Sequence, residues 1–296
     1  MIIILSNGKQ LRGDLILSAI IRSDLAPIPA TFEAEIRIDE PLKKLLEEGK
    51  TITAEGDLFY IIKAEILTGR HSQGQHDMRH VKITCLLDAC HTIAFTRERP
   101  IIKENSTLVE IYKAAGATLK AIDADFPVPR FNCLRGGTPS FPIAQVLQEE
   151  GGVVRWKDGK MKFFRLPDLL KQKPVMKIPY NAQDNVNSGF LERHEVPWFY
   201  SLKDDGTFIY GNQTKSRTVL YTPFKNTQRL QNMTRCLVQR KISKVKYLSK
   251  LCAGDLIDII GSKPLVIVTV AHVLMGGTDS SPAEQYTRLW LSSVEE

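Results

Sequence analysis

Side chains that could bind a metal are densest between residues 71 and 91 of the 296-residue chain. This segment holds four histidines and two cysteines: His71, His76, His80, Cys85, Cys90 and His91. Imidazole and thiolate are the ligands that zinc prefers in structural sites. Such sites usually pair their ligands at short spacing twice over, whereas this segment has no Cys-x-x-Cys pair. The spacing therefore favours a polar hairpin loop followed by buried strand cysteines, and it predicts no metal site.

A glycine pair ahead of a predicted helix is the second candidate, because backbone N–H groups at the start of a helix can bind phosphate. The pair lies in residues 135–138, Arg-Gly-Gly-Thr. A nucleotide-binding loop needs the longer Gly-x-x-x-x-Gly-Lys pattern, which this segment lacks. We therefore predict a turn between a strand and a helix, with no cofactor bound.

Two further segments could carry hydrolytic chemistry. Residues 187–189, Asn-Ser-Gly, lack the first glycine of a nucleophile elbow. Asp204 and Asp205 lie in a predicted turn, where aspartate is favoured for backbone reasons. The sequence thus predicts no catalytic, cofactor-binding or metal-binding residues, and we expect the protein not to be an enzyme. No spare length is expected for a fused lysozyme or peptidase.

Length and composition are those of an ordinary globular protein of two domains, or of one domain with a large insertion. Apolar residues make up 43% of the chain, and no run approaches the ~20 residues that span a bilayer. The apolar start at residues 1–5 is predicted to be a strand rather than a signal peptide. Five scattered cysteines indicate reduced thiols, in the cytoplasm or in a particle assembled there.

The net charge of +7 allows an anionic partner. The densest basic run is residues 240–246, Arg-Lys-Ile-Ser-Lys-Val-Lys, in which charged and apolar residues alternate. This alternation is typical of the solvated face of a strand. No recognised nucleic-acid-binding module accompanies the run, so the solvated face is the favoured interpretation.

The first 95 residues are predicted to be mainly strands. The clearest is residues 31–38, in which Phe32, Ala34, Ile36 and Ile38 alternate with charged side chains, as in a half-buried antiparallel strand. A short helix at 41–48, a strand pair at 51–54 and 58–67, a polar loop at 68–78 and a strand at 81–87 follow. Residues 88–95 are predicted to form a short helix.

The middle of the chain predicts two helices and a hairpin. Residues 97–105 are predicted to be a connector, after which Thr107 and Glu110 form a capping box for a helix at 107–115. A strand at 131–134 precedes a second helix at 140–150, capped by Ser140, whose apolar face is Ile143, Val146 and Leu147. Gly151-Gly152 ends this helix, and Asp158-Gly159 forms the tip of a hairpin over 153–166.

The remainder is predicted to be β-structure after a linker at 167–187. The expected strands are 198–202, 207–210, 217–221, 233–248, 256–260, 265–274 and 286–292. Together these elements predict a mainly β protein with an α/β middle region, an α+β fold class. The predicted divisions are 1–95, 96–189 and 190–296.

This order of elements resembles phage tail hub proteins, such as the late-control proteins of contractile phages and the N-terminal part of type VI secretion spike proteins. The resemblance rests on the helix, glycine stop and Asp-Gly hairpin of residues 140–166, and on Ser-Thr-Leu-Val-Glu-Ile at 106–111. The strand opened by Phe32 fits the first domain of that family. The Gly254-Asp255 turn and a strand ending in His272 fit its last domain. From the sequence, His272 is interpreted as an exposed position on an edge strand.

The resemblance implies two β-barrel domains of tail-tube design, with the helix and hairpin region inserted between them. It implies a homotrimeric ring that joins the sixfold tail tube to the threefold spike in the baseplate of a phage tail or related contractile injection machine. Implied partners are the tail tube protein or distal tube initiator, the central spike and other baseplate proteins. DNA would pass through the channel, with no membrane binding by the chain itself. The location would be the virion baseplate, assembled in the bacterial cytoplasm.

Two other functions stay open at the level of sequence. A tail-associated cell-wall hydrolase would need a carboxylate pair or a Cys-His dyad in a cleft. A basic nucleic-acid-binding protein would show affinity that falls steeply with salt.

Overall fold

The computed structural model describes residues 1–68, 79–179, 183–185, 197–213, 218–277 and 282–295. The predicted polar loop at 68–78 lies almost wholly outside this part of the chain. The first region consists of six strands and a short helix, which are β1 (Ile3–Leu5), β2 (Ile16–Asp24), β3 (Ala30–Arg37), α1 (Glu40–Leu45), β4 (Thr51–Ala54), β5 (Asp57–Thr68) and β6 (Arg79–Leu87). A 3₁₀ turn at His91–Ala94 follows, in place of the predicted short helix.

Strand β3 illustrates why these residues fold as they do. Phe32, Ala34 and Ile36 are buried, whereas Glu33 and Arg37 are exposed. Successive side chains of a strand point to opposite faces, so the alternation places one face on the core and the other in solvent. The predicted half-buried strand is confirmed.

The middle region contains three short strands, a two-stranded hairpin and three helices. Its elements are β7 (Ile101–Thr107), α2 (Leu108–Ala114), β8 (Ile122–Asp123), β9 (Pro127–Cys133), α3 (Ser140–Glu149), β10 (Gly152–Lys157), β11 (Lys160–Arg165) and α4 (Leu166–Leu169). Strands β7 and β9 pair antiparallel. The prediction of a connector at 97–105 is wrong in part, because pairing with the distant β9 makes a strand from residue 101 onwards in a segment that has little apolar pattern of its own.

Local signals in the middle region are mostly confirmed. The Thr107 hydroxyl accepts a hydrogen bond from the Glu110 backbone, and the Glu110 carboxylate accepts one from the Thr107 backbone. At the hairpin tip, Asp158 and Gly159 both have positive φ angles. Ser140 does not cap α3, however: Pro139 occupies the N-cap position and no side chain caps the helix.

The last region contains nine strands and one helix among the described residues. Its elements are β12 (Met176–Ile178), β13 (Gln183–Asn185), β14 (Trp198–Leu202), β15 (Phe208–Tyr210), β16 (Val219–Tyr221), α5 (Thr227–Met233), β17 (Cys236–Lys246), β18 (Leu256–Ile259), β19 (Leu265–Met275) and β20 (Glu284–Glu295). The prediction of a linker at 167–187 is wrong in part, since β12, β13 and all but the first residue of α4 lie within it. Helix α5 was not predicted.

Twelve strands form one sheet that crosses the predicted division of the chain. Its order is β1-β4-β5-β6-β3-β2-β19-β20-β17-β13, with β18 beside β19 and β12 beside β18. The seam between the first and last regions is the antiparallel pair β2–β19, which runs from Asp24 opposite Thr269 to Ser18 opposite Met275. The mainly β class with a helical middle is confirmed, while the boundaries 1–95, 96–189 and 190–296 stay predictions.

A second, smaller sheet has the order β15-β14-β16. Helix α5 packs against one face of it, where Phe199, Leu230 and Met233 form a small buried cluster. Helix α5 also contacts α3, whose buried face is Ile143, Val146 and Leu147, as predicted. Helix α5 thus lies between the small sheet and α3.

Candidate functional site

The described members of the predicted histidine and cysteine cluster do not converge. His80 lies on the outer face of the large sheet, with its Nε2 atom 2.9 Å from a carboxylate oxygen of Glu35. Cys85 lies five residues further along the same strand, so its side chain points to the opposite, buried face. His91 stacks on the Tyr60 ring at 4.0 Å. His71 and His76 lie outside the described residues, and the described ones contain no group of three metal ligands.

Burial also decides the chemistry of the cysteines in this cluster. Desolvation raises the pKa of the Cys85 thiol and of the Cys90 thiol well above the ordinary value. Both therefore stay protonated at neutral pH, and a protonated thiol is a poor nucleophile and a poor metal ligand. Burial likewise raises the pKa of Cys252, to about 11.

The glycine pair at 136–137 forms a turn whose backbone groups are already paired. The Gly136 N–H donates to the Arg97 carbonyl, and the Gly137 N–H donates to the Leu134 carbonyl. Neither N–H group is available to a phosphate, so the structural interpretation of this segment is favoured. Asp205 accepts hydrogen bonds from the Thr207 backbone and hydroxyl at 2.9 and 2.6 Å, as a turn residue does. Residues 187–189 lie outside the described part of the chain.

The interpretation of His272 as an exposed edge residue is wrong. Its side chain is only 4% exposed, because β19 is flanked by β2 on one side and β20 on the other. The ring contacts the Thr287 hydroxyl at 3.1 Å and the Leu251 carbonyl at 3.0 Å. Burial lowers the pKa of His272, which therefore stays neutral at physiological pH.

The basic run at 240–246 lies in β17, as predicted, but its two faces differ. Arg240, Lys244 and Lys246 are exposed, whereas Lys241 and Ser243 are buried. Lys244 also pairs with Glu284 and lies over the Tyr286 ring. The run is therefore part of a packed strand, in which three of the four cations reach solvent and Lys241 does not.

The tip of the β10–β11 hairpin joins the two halves of the large sheet. The Trp156 indole N–H donates to a carboxylate oxygen of Asp57, in the first half, at 2.9 Å. The Lys157 ammonium lies 2.8 Å from the carboxylate of Asp255, in the second half of the sheet. Asp255 is only 2% exposed. Burial raises the pKa of Asp57, although the Trp156 donor partly offsets this effect. These contacts define a junction that the sequence did not reveal.

The outer face of the small sheet exposes aromatic side chains. Tyr200, in the central strand, lies opposite Tyr210 on one side and Tyr221 on the other. Phe208 is 60% exposed, and the ring centroids of Tyr200 and Tyr221 lie 5.3 Å apart. Contiguous exposed apolar faces on proteins commonly mark interaction sites, and aromatic residues are enriched there.

An open cleft of about 600 Å³ lies between β9, α3 and the turn that joins β16 to α5. Its floor is apolar and its walls are prolines and charged side chains. The lining includes Val128, Arg130, Pro142, Glu149, Phe224 and Lys225. Sequence reasoning missed this cleft, because its residues come from three separate segments. The one local signal was the Pro223-Phe224 pair, because a turn that begins with proline and has a positive φ angle at the next residue prefers glycine there.

No family profile matches this sequence, and no curated protein matches it. Solved structures, by contrast, share its fold over nearly the whole chain. A tail protein from Neisseria meningitidis superposes with a TM-score of 0.66 at 13% identity, covering 99% of this chain and 95% of that one. The 43 kDa tail protein of prophage MuSo2 from Shewanella oneidensis gives a TM-score of 0.62 at 13% identity, covering 99% and 98%.

A component of the Escherichia coli type VI secretion system, described as structurally similar to tail proteins of bacteriophage T4, also shares the fold. It superposes with a TM-score of 0.54 at 10% identity, covering 94% of this chain and 74% of that one. The chain therefore has the fold of phage tail proteins and of the related secretion component. Among the described residues, no helix is long and apolar enough to cross a membrane.

Proposed function

We propose that this protein is a structural component of a phage tail or related contractile injection machine, and specifically its baseplate hub. The observation that carries the proposal is the match of fold over 99% of the chain to tail proteins from two organisms. A match over the whole length includes both halves of the large sheet and the middle region. The proposed role is mechanical rather than catalytic.

In the proposed assembly, three copies form a ring that joins the sixfold tail tube to the threefold spike. Such a ring is a closed cyclic assembly with heterologous interfaces, in which two different surfaces of each copy meet. The aromatic outer face of the small sheet is a surface of the kind such an interface uses. The other proposed partners are the tube protein or its distal initiator, the spike and further baseplate proteins, with DNA passing through the channel.

The mass of the purified protein in solution tests this proposal. Light scattering should give about three times the chain mass of 33.4 kDa at high concentration, and negative-stain images should show a ring with a central hole. Changing Tyr210 and Tyr221 together to Ser should lower the trimer fraction if the aromatic face is in the interface. A strict monomer at assembly-like concentrations would contradict the proposed ring.

A further inference from the structure

The turn Pro223-Phe224 holds an aromatic residue in a backbone conformation that suits glycine. Phe224 has a φ angle of +58°, in the left-handed region. Bulky residues rarely adopt positive φ, and a turn with proline at its first central position and positive φ at the second prefers glycine there. The Phe224 side chain is 84% exposed, so packing within the chain does not explain why the position carries phenylalanine.

Contacts on both sides of Phe224 fix this turn. The Thr222 N–H donates to the Tyr200 carbonyl at 2.8 Å. The Lys225 N–H donates to the Ser201 hydroxyl at 3.2 Å, and the Lys225 ammonium lies 2.6 Å from the largely buried Glu149 carboxylate. The turn thus displays the ring at a defined place. Backbone strain that the surrounding contacts enforce, and that brings no packing in return, is common at binding sites.

The displayed ring forms the rim of the cleft between β9, α3 and this turn. The cleft floor includes the buried side chains of Val128, Phe131 and Val146. Its volume of about 600 Å³ is within the range of ligand-binding clefts, about 300 to 1,000 Å³. An apolar side chain that entered the cleft would contact this floor and the Phe224 ring together.

The charges of the cleft favour an acidic occupant. Glu149 pairs with Lys225, and Glu150 pairs with Arg229 at 3.0 Å, so these four charges neutralise one another. Arg130 also lines the cleft and is exposed. Glu104 lies opposite it on β7 but outside the cleft lining, and no carboxylate of the described residues forms an ion pair with Arg130 within 4 Å. The excess charge at the cleft is therefore positive. A carboxylate beside an apolar group would complement both the arginine and the floor.

We infer that this cleft is a docking site for a segment of a partner polypeptide that inserts an apolar side chain beneath Phe224 and places a carboxylate against Arg130. The segment does not extend the β7–β9 sheet, because Pro127 and Pro129 lack the N–H groups that strand addition needs. Recognition is instead by the side chains of the segment. The inference rests on the geometry of the cleft and does not depend on the proposed hub role.

Selection from a random 12-residue peptide library on the full-length protein tests the inference. Selected peptides should share an aromatic or aliphatic residue close to Asp or Glu. For a synthetic peptide of the selected sequence, fluorescence anisotropy should show at least tenfold weaker binding to Phe224→Gly, since hot-spot aromatics carry effects of that size. The melting temperature of this variant should be unchanged or higher, because glycine relieves the strained φ angle.

Matched controls separate the cleft from general surface effects. Arg130→Glu should also weaken binding at least tenfold, whereas Arg135→Glu, an exposed arginine that does not line the cleft, should change it less than twofold. Phe141→Ala, which changes a similarly exposed aromatic residue outside the cleft, should bind like the wild type. Failure to enrich any peptide, a selected sequence without an acidic residue, or equal binding to Phe224→Gly would overturn the inference. Loss of self-association in Phe224→Gly would also overturn it, by assigning the cleft to a second copy of this chain.

Discussion

The large sheet and the small sheet differ in how much of their apolar surface is buried. In the large sheet, β19 lies between two long partners and even carries a buried histidine with both ring nitrogens in contact with polar atoms. In the small sheet, one face rests on α5 through a cluster of three buried residues, while the other face exposes tyrosines and a phenylalanine. Regions with few buried contacts open locally at low cost, and binding surfaces are drawn from such regions. The large sheet is therefore a tightly packed body, and the small sheet is an attached unit that exposes aromatic side chains.

The largest effect is expected from a charge in the body of the molecule. Leu147 lies on the buried face of α3, so Leu147→Asp would bury an unpaired carboxylate and cost about 3 to 5 kcal/mol of unfolding free energy. Soluble expression should be lost. Phe141→Asp in the same helix is the control, because Phe141 is 76% exposed and the change should be nearly neutral. Normal stability of Leu147→Asp would mean that the core face of α3 is assigned wrongly.

A substitution under the small sheet should act locally. Leu230 is fully buried between α5 and this sheet, and Leu230→Ala should cost about 2 to 4 kcal/mol of the stability of that unit. Hydrogen exchange should accelerate in β14, β15 and α5 and stay unchanged in β2 and β19. Equal acceleration in both sheets would show that the large and small sheets unfold as one cooperative unit and do not differ in local stability.

Acid should weaken the body through His272. Because burial lowers the pKa of His272 in the folded protein, the unfolded chain binds the proton more readily. The unfolding free energy is therefore undiminished by His272 above about pH 6.5, the ordinary pKa of histidine. It decreases progressively as the pH falls below that value. Denaturant melts at pH 7.5 and 5.5 should differ less for His272→Gln than for the wild type. An identical pH dependence of stability in the two proteins would contradict the conclusion that burial lowers the pKa of His272.

The smallest effect is expected in the histidine cluster. Replacing His71, His76 and His80 together by Ala should leave the melting temperature nearly unchanged, since the sequence predicts His71 and His76 in a polar loop and the His80 contact with Glu35 is on the surface. Elemental analysis should find no stoichiometric zinc. One equivalent of zinc, with a large fall in melting temperature on adding a chelator, would restore the metal-site hypothesis, because a structural zinc contributes much of the folding free energy.

The amino-acid sequence by itself determined the elements whose signals are local. The alternation around Phe32, the capping box at Thr107 and the Asp158-Gly159 hairpin each depend on residues a few positions apart, and each was predicted correctly. Helix α5 also carried a local signal, since the Asn226 side chain caps it, but its seven residues contain little apolar pattern.

The tertiary structure alone decided which segments meet. Strand β7 depends on its pairing with β9, whose partner residues are 20 to 32 positions further along the chain, and the burial of His272 depends on β2, some 250 residues away. The cleft beside Phe224 likewise combines three segments that have no common pattern in the sequence. Local propensity acts over a turn or a few residues, whereas partners across a sheet are chosen by the packing of the whole chain, so no periodicity in the sequence specifies them.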